Sequence, residues 1–297
     1  MLKKFWAVLL AAALAFCSAC SFTGSIAADI DKNNIDLTRY QNDRNAFETK
    51  LIVEGPSPQY HEEEAPPEGV SEVIYPSGDL ELKAWLSDDP GDGQRHPAVV
   101  YAHGGFAFGL SDWEDAQAFT DAGFVLMTPM VRGENGNLGN YEGFFGEVDD
   151  VIAAGDYLKE LPYVDPENIF LCGHSVGGTL SMLTSMLPSS YKAIATFGAS
   201  PNQRVFFKSS SDIAPFDYND FSETDIRSPL AYIDCIQKPL YIFVAEGDLA
   251  YVQFSRLLAD SAKEMSKDCE MIVMEGDHFT SLQPSIEQSI ERFSDLF

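Results

Sequence analysis

Apolar stretches of strand length alternate with helix-compatible stretches from residue 97 to the C-terminus, and this alternation constrains the fold most strongly. Residues 98–102, 124–127 and 240–244 are continuously apolar, as in strands buried on both faces of a parallel sheet. Residues 113–121 and 147–161 between them have helical periodicity. Because parallel strands need crossover connections, the sequence predicts an α/β fold with a mostly parallel central sheet and helices on both faces.

A second pattern precedes this alternation. Residues 73–75 form a short apolar run, residues 76–79 have turn composition, and residues 80–86 alternate between apolar and polar side chains. Period-two alternation beside a turn of this kind is typical of an antiparallel hairpin. We therefore predict one domain over residues 71–297 that opens with an antiparallel N-terminal hairpin.

The first 20 residues have the pattern of an export signal: two lysines, a short apolar run and small residues. Residues 17–20 are similar to a bacterial lipobox in which Cys20 would be lipidated, with Cys17 where leucine is usual. Residues 25–27 also fit an ordinary signal-peptidase site. We expect an exported protein, held in the bacterial cell envelope by a lipid on Cys20, or otherwise secreted or periplasmic.

Residues 21–70 are predicted to be an N-terminal arm or linker. They are polar and mixed, and they include Gly-Pro-Ser-Pro at 55–58 and an acidic, proline-bearing stretch at 61–69. Prolines interrupt helices and like charges repel, which favours a spacer between the anchor and the domain. Residues 37–53 carry scattered apolar positions, and the sequence leaves open whether they pack on the domain.

Composition excludes some partners. The formal net charge of -27 argues against nucleic acid, which is bound by concentrated lysine and arginine. Cys172, Cys235 and Cys269 remain after the signal, an odd number without close pairs, so neither a disulfide framework nor a zinc site is indicated. We expect no metal, no cofactor and membrane contact only through the anchor, and the sequence leaves the oligomeric state open.

Residues 173–177, Gly-His-Ser-Val-Gly, match the pattern G-x-S-x-G and lie between a predicted strand at 169–172 and a predicted helix. In this pattern the glycines permit a sharp strand-to-helix turn that exposes the serine hydroxyl. A hydroxyl is a weak nucleophile unless a base removes its proton and an oxyanion is stabilised. The context indicates that Ser175 is a nucleophile.

The base and the acid should follow Ser175 in the chain, in the order acid then histidine. Of the five histidines, His278 is the one that follows the last predicted strand. Asp248 directly follows an earlier predicted strand and is the favoured acid, with Glu246 and Asp277 as rivals. An acid next to its histidine in sequence points poorly at it, which weakens Asp277.

An oxyanion needs two preorganised donors. Enzymes with this nucleophile turn take one from the residue after the nucleophile and one from the loop after an early strand. Here these are the backbone amide of Val176 and that of Gly105 or Phe106, within His-Gly-Gly-Phe at 103–106.

Together these residues resemble the catalytic domain of the prolyl oligopeptidase family of serine peptidases and, more broadly, dienelactone-hydrolase-type enzymes. The resemblance covers roughly residue 73 to the C-terminus and implies an α/β-hydrolase fold with a Ser175, Asp248 and His278 triad. It rests on residues 103–105, on Arg132-Gly133 with Gly136 and Gly139, on residues 147–150 and 165–169, on the turn around Ser175, and on residues 227–229, Asp248 and His278.

The resemblance implies a serine hydrolase that cleaves a peptide, amide or ester bond of a small-molecule or short-peptide substrate through an acyl-enzyme. Family peptidases usually carry a β-propeller ahead of this domain, for which 297 residues leave no room, so peptide specificity stays open. A carboxylesterase or acyltransferase with the same triad, and a non-catalytic binding protein, remain alternatives.

An insertion at about 200–234 interrupts the strand and helix alternation. It is polar and aromatic with weak periodicity, and it is long enough to wall a substrate pocket. Its aromatic residues, which include Phe206, Phe207 and Phe216, could line such a pocket or form a small core.

Overall fold

The computed structural model describes residues 35–297. The predicted export signal, Cys20 and the alternative cleavage site at 25–27 lie outside the described residues. Within the described part of the chain, no helix is both long and apolar enough to cross a membrane.

Eight strands of the described chain form one sheet. They are β1 (Val70–Ser77), β2 (Leu80–Ser87), β3 (His96–Ala102), β4 (Val125–Pro129), β5 (Val164–His174), β6 (Ile194–Phe197), β7 (Leu240–Ala245) and β8 (Cys269–Met274). Their order across the sheet is β1-β2-β4-β3-β5-β6-β7-β8. The β1–β2 and β2–β4 pairs are antiparallel, and every later pair is parallel.

Helices cover the sheet on both sides. They are α1 (Arg39–Ala46), α2 (Leu110–Asp121), α3 (Glu147–Lys159), α4 (Ser175–Thr184), α5 (Gln203–Ser209), α6 (Phe221–Asp225), α7 (Leu249–Glu264) and α8 (Leu282–Ser294). Trp113 of α2 and Phe293 of α8 belong to one buried apolar cluster. Val151 of α3, Leu180 of α4 and Leu258 of α7 belong to another.

Strand β5 shows how the sequence pattern produces these two layers. Phe170 and Cys172 lie in the cluster with α2 and α8, whereas Leu171 lies in the cluster with α3, α4 and α7. Successive side chains of a strand point to opposite faces, so a strand covered on both sides must be apolar throughout. The predicted mostly parallel sheet, with helices on both faces and an antiparallel hairpin, is confirmed.

The insertion at about 200–234 is folded into the main core. It contains α5, α6 and three single 3₁₀ turns. Phe206, Phe207 and Phe216 are buried in the same cluster as α3 and α4. The guanidinium of Arg227 lies 4.0 Å from the centre of the Phe216 ring. These aromatic side chains are therefore part of the main core.

The described part of the N-terminal arm is bound to the domain. Tyr40 of α1 is fully buried, with its ring centre 4.4 Å from that of Tyr232. Arg44 donates a hydrogen bond of 2.8 Å to Asp149 of α3. The arm is thus not the detached spacer that its composition favoured, because its few apolar and cationic side chains have partners on the insertion and on α3.

The sheet topology gathers the predicted site residues at one edge. The carboxyl ends of neighbouring parallel strands meet at the same edge of a sheet. His103 follows β3, Ser175 follows β5, Asp248 follows β7 and His278 follows β8. Residues separated by up to 175 positions therefore meet at one place.

Candidate active site

Ser175 lies on a strained turn between β5 and α4. Its φ angle is +52°, in the left-handed region that side chains other than glycine rarely adopt. A Cβ atom at Gly177 would lie 2.0 Å from the carbonyl oxygen of Ala102, and one at Gly173 would lie 2.4 Å from that of Gly177. Only glycines let the strand, the turn and the helix approach so closely. The local structure is the sharp strand-to-helix turn that the motif predicted.

His278 and Asp248 meet across the loops that follow β8 and β7. The Nδ1 of His278 donates to Oδ2 of Asp248 over 2.7 Å. The two side chains are only 14% and 13% exposed, so solvent screens this bond weakly. This contact sets the tautomer: the proton sits on Nδ1, and Nε2 of His278 is left as the basic nitrogen.

Neither rival acid is the partner of His278. The carboxylate of Asp277 accepts from the backbone N–H groups of Phe279 and Thr280 at 3.1 and 2.9 Å. Hydrogen bonds from Thr280 lower the pKa of Asp277, and Glu246 is exposed. The histidine partner in the structure is Asp248.

His174 connects the loop that contains His278 to the turn at Ser175. Its Nε2 donates to the carbonyl oxygen of His278 over 3.1 Å, and the two ring centres are 4.9 Å apart. Burial, with a contribution from His278, lowers the pKa of His174 to about 3. The ring is therefore neutral and acts as a hydrogen-bond donor that holds the loop beside Ser175.

The backbone of Gly198 packs against the ring of His278. A Cβ atom at Gly198, which follows β6, would lie 2.8 Å from Cε1 of His278. A side chain at this position would displace the imidazole. The ring orientation thus depends on a glycine as well as on Asp248.

The loop after β3 lies directly against the nucleophile turn. The N–H of Gly177 donates to the carbonyl oxygen of His103 over 3.0 Å. The side chain of His103 is buried and pairs with Glu134 at 3.0 Å. Burial by itself would lower the pKa of His103, but the Glu134 carboxylate raises it to about 9. A buried ion pair therefore anchors the start of the loop that carries Gly105 and Phe106.

The two candidate donors of this loop have different surroundings. Gly105 has a φ angle of +72°. The N–H of Phe106 donates to Oε1 of Gln59, on the N-terminal arm, over 3.0 Å. The hydroxyl of Ser57 donates to the carbonyl oxygen of Phe106. Val176 directly follows Ser175 at the start of α4.

Four residues beside the site were not identified as its parts from the sequence: Ser57, Gln59, Glu134 and His174. The motif around Ser175 contains His174, yet nothing in it predicts a bond to the loop that contains His278. Ser57 belongs to a Gly-Pro-Ser-Pro stretch that indicates only irregular backbone. Their partners are distant in sequence, so local patterns carry no signal for them.

The described residues include no group of three or more His, Cys, Asp and Glu side chains that could hold a metal ion.

Comparison with known proteins agrees with this architecture. The family model of the prolyl oligopeptidase family matches residues 110–292. An uncharacterized peptidase of Bacillus subtilis, YtmA, is 26% identical over 210 residues, which are 67% of this chain and 81% of that protein.

Solved structures share the fold. The acylaminoacyl peptidase of Pyrococcus horikoshii superposes with a TM-score of 0.61 at 19% identity, over 76% of this chain and 40% of that one. A thermophilic esterase of Thermogutta terrifontis, Est2, solved with propionate, superposes with a TM-score of 0.62 at 22% identity, over 78% of this chain and 96% of that one.

The family match spans more than half of the chain and includes Ser175, Asp248 and His278. The solved neighbours share the overall fold. The chain therefore belongs to the prolyl oligopeptidase family and is a serine hydrolase of the α/β-hydrolase fold.

Proposed function

We propose that this hydrolase cleaves an amide or ester bond of a small acyl substrate with Ser175 as nucleophile, His278 as base and Asp248 as the residue that orients the base. The observation that carries the proposal is the 2.7 Å bond between His278 Nδ1 and Asp248 Oδ2. It lies at the sheet edge where the strained turn presents Ser175.

The reaction follows from these positions. As Oγ of Ser175 bonds to the substrate carbonyl carbon, its proton moves to Nε2 of His278 and the carbonyl electrons move to the oxygen. Collapse of this oxyanion breaks the bond to the leaving group, which takes the proton from Nε2. Water then attacks the acyl-enzyme with His278 again as base, and the products are a free acid and the regenerated serine.

Backbone amides would stabilise the oxyanion. The N–H of Val176 and that of Gly105 or Phe106 are the candidate donors. The N-terminus of α4 lies at Ser175, so its partial positive charge adds to the effect. Removal of one such donor typically costs about 10²–10³ in kcat.

Family membership alone does not fix the type of bond that is cleaved. A similar solved structure is an acylaminoacyl peptidase and another is an esterase. Leu249 and Phe279 directly follow Asp248 and His278 and are exposed, which supports an apolar group on the substrate. We propose a small peptide, amide or ester with such a group, and parallel turnover of p-nitrophenyl esters and aminoacyl-nitroanilides separates the two bond types.

Active-site labelling tests the proposal. A fluorophosphonate should label the purified wild-type protein, and peptide mapping should find the adduct on Ser175. The matched control is Ser175→Ala, which should not react. A folded wild-type protein without an adduct on Ser175 would contradict the proposed function.

We also propose that the protein is exported and anchored by a lipid on Cys20. The support is the signal pattern in the sequence. Cys20→Ser should move the protein from the membrane fraction to the soluble exported fraction in a bacterial host. A wild-type protein with an N-terminus near residue 28 and no lipid would instead favour the ordinary cleavage site.

A further inference from the structure

Two side chains of the N-terminal arm hold both backbone polar groups of Phe106. Oε1 of Gln59 accepts from the N–H over 3.0 Å, and the hydroxyl of Ser57 donates to the C=O. The Gln59 amide also lies against the α-carbon of Gly105, where a Cβ atom would be 2.9 Å from Oε1. The arm therefore contacts the two residues that are the candidates for the second oxyanion donor.

The arm is itself fixed at this point. The N–H of Ser57 donates to the carbonyl oxygen of Gly133 over 2.9 Å, and the N–H of Tyr141 donates to that of Gly55 over 2.9 Å. The ring of Phe106 is buried, with its centre 5.4 Å from that of Tyr141. Backbone bonds on one side and ring packing on the other give Gln59 and Ser57 a defined position relative to the loop.

We infer that Gln59, assisted by Ser57, is a positioning residue that fixes the loop after β3 by binding the N–H of Phe106. In this arrangement, Gly105 supplies the second oxyanion donor. The inference rests on the proposed function. An N–H that already donates to an amide oxygen is a poor donor to a developing oxyanion. Of the two candidates in this loop, Gly105 is the one that Gln59 leaves available.

The direction of the effect separates this role from occlusion. A residue that positions a donor stabilises the transition state more than the bound substrate, so its loss lowers kcat and leaves KM nearly unchanged. If Gln59 instead filled the place where the oxyanion forms, its loss would raise the rate. Only the first result agrees with positioning.

Gln59→Met in the full-length protein is the test. Methionine keeps the length of the side chain but offers no oxygen to the N–H of Phe106. We expect kcat for a p-nitrophenyl ester to fall about 10-fold or more, since a displaced donor loses part of what a deleted one would. KM should change less than about twofold, and affinity for an alkylboronate, which forms a tetrahedral adduct, should fall by the same factor as kcat.

Matched variants guard against a merely structural effect. Ser57→Ala should change kcat in the same direction. Gln41→Met alters a partly exposed glutamine of the same arm, whose partner is the nearby Asn45, and should match wild type. Thermal unfolding of each variant shows whether it is destabilised. Instability would not produce equal losses in kcat and in boronate affinity, whereas a displaced donor would.

The outcomes are distinguishable from failure of the proposed function. A wild-type protein that neither turns over esters nor labels on Ser175 would refute the proposed function and this inference with it. An active wild-type protein with an unchanged or faster Gln59→Met variant, or one altered only in KM, would refute the inference alone.

Discussion

Asp248→Asn isolates the role of the carboxylate because the side chain keeps its shape. The Asp248 oxygen accepts the proton on Nδ1 of His278 at 2.7 Å. An asparagine amide can present N–H groups to Nδ1, which favours the tautomer that carries its proton on Nε2. That tautomer has no free electron pair at Nε2 to accept the proton of Ser175.

The expected magnitude follows from the burial of the pair. The side chains of His278 and Asp248 are 14% and 13% exposed, so bulk water does not replace the lost carboxylate. The same change of tautomer in a Ser-His-Asp triad lowers kcat by about 10⁴-fold. At 1.36 kcal/mol per tenfold change, this is about 5 kcal/mol of transition-state stabilisation. KM should change little, because Asp248 does not touch the substrate.

Steady-state turnover of a p-nitrophenyl ester measures this effect, with two rival acids as matched controls. Glu246→Gln changes an exposed side chain and should stay within about twofold of wild type. Asp277→Asn keeps one oxygen for the backbone N–H groups of Phe279 and Thr280 but removes the charge that strengthens these bonds, and we expect a loss below about 10-fold from a looser loop.

This prediction would be refuted by an Asp248→Asn variant that keeps more than about one hundredth of wild-type kcat, since a correct tautomer would then not depend on this carboxylate. It would also be refuted if Asp277→Asn caused the larger loss. Circular dichroism of each variant shows whether the fold is retained.

Three further predictions concern the frame around the site. Gly177→Ala would place a methyl carbon 2.0 Å from a backbone oxygen, so we expect a destabilisation of about 3 kcal/mol or more in urea unfolding. Folding raises the pKa of His103, which is paired with Glu134, from 6.5 to about 9. The pair therefore stabilises the fold fully below pH 6.5, and its contribution is lost as the pH rises through 9. Glu134→Gln should remove this pH dependence from the unfolding curves. In the wild-type protein, buried Glu223 is paired with Arg227 at 2.7 Å. Arg227→Met removes this cation and should lower the free energy of unfolding by about 3–5 kcal/mol, again measured by urea unfolding.

Much of the fold could be predicted because strands and helices are encoded by local periodicity. The parallel strands are short apolar runs, and the opening hairpin shows period-two alternation. Element ends were less well predicted: α2 begins at Leu110, three residues before the helical periodicity that indicated it from residue 113. Its start is marked by a cap, in which Asp112 accepts from the N–H of Gly109, and not by an apolar face.

Some residues of the site could likewise be identified from the sequence, and others could not. Ser175 belongs to a five-residue motif that is read directly from the sequence, although Gly177 is required by a contact with distant Ala102. Strand order alone indicated His278. The choice between Asp248 and Asp277 depends on which carboxylate faces Nδ1 across two loops, and that is a property of the folded chain. The aromatic side chains of the insertion are likewise core residues only because α3 and α4 lie against them.

By itself, the sequence determined the α/β architecture, the nucleophile turn and the family resemblance, because each depends on side-chain period or on close neighbours in the chain. Only the tertiary structure decided how the N-terminal arm is used. Gln59 and Phe106 are 47 residues apart, and their contact exists because α1 and the following segment pack on the domain. Polar composition predicted a linker there, since a hydrogen bond between distant groups leaves no periodic trace in the sequence.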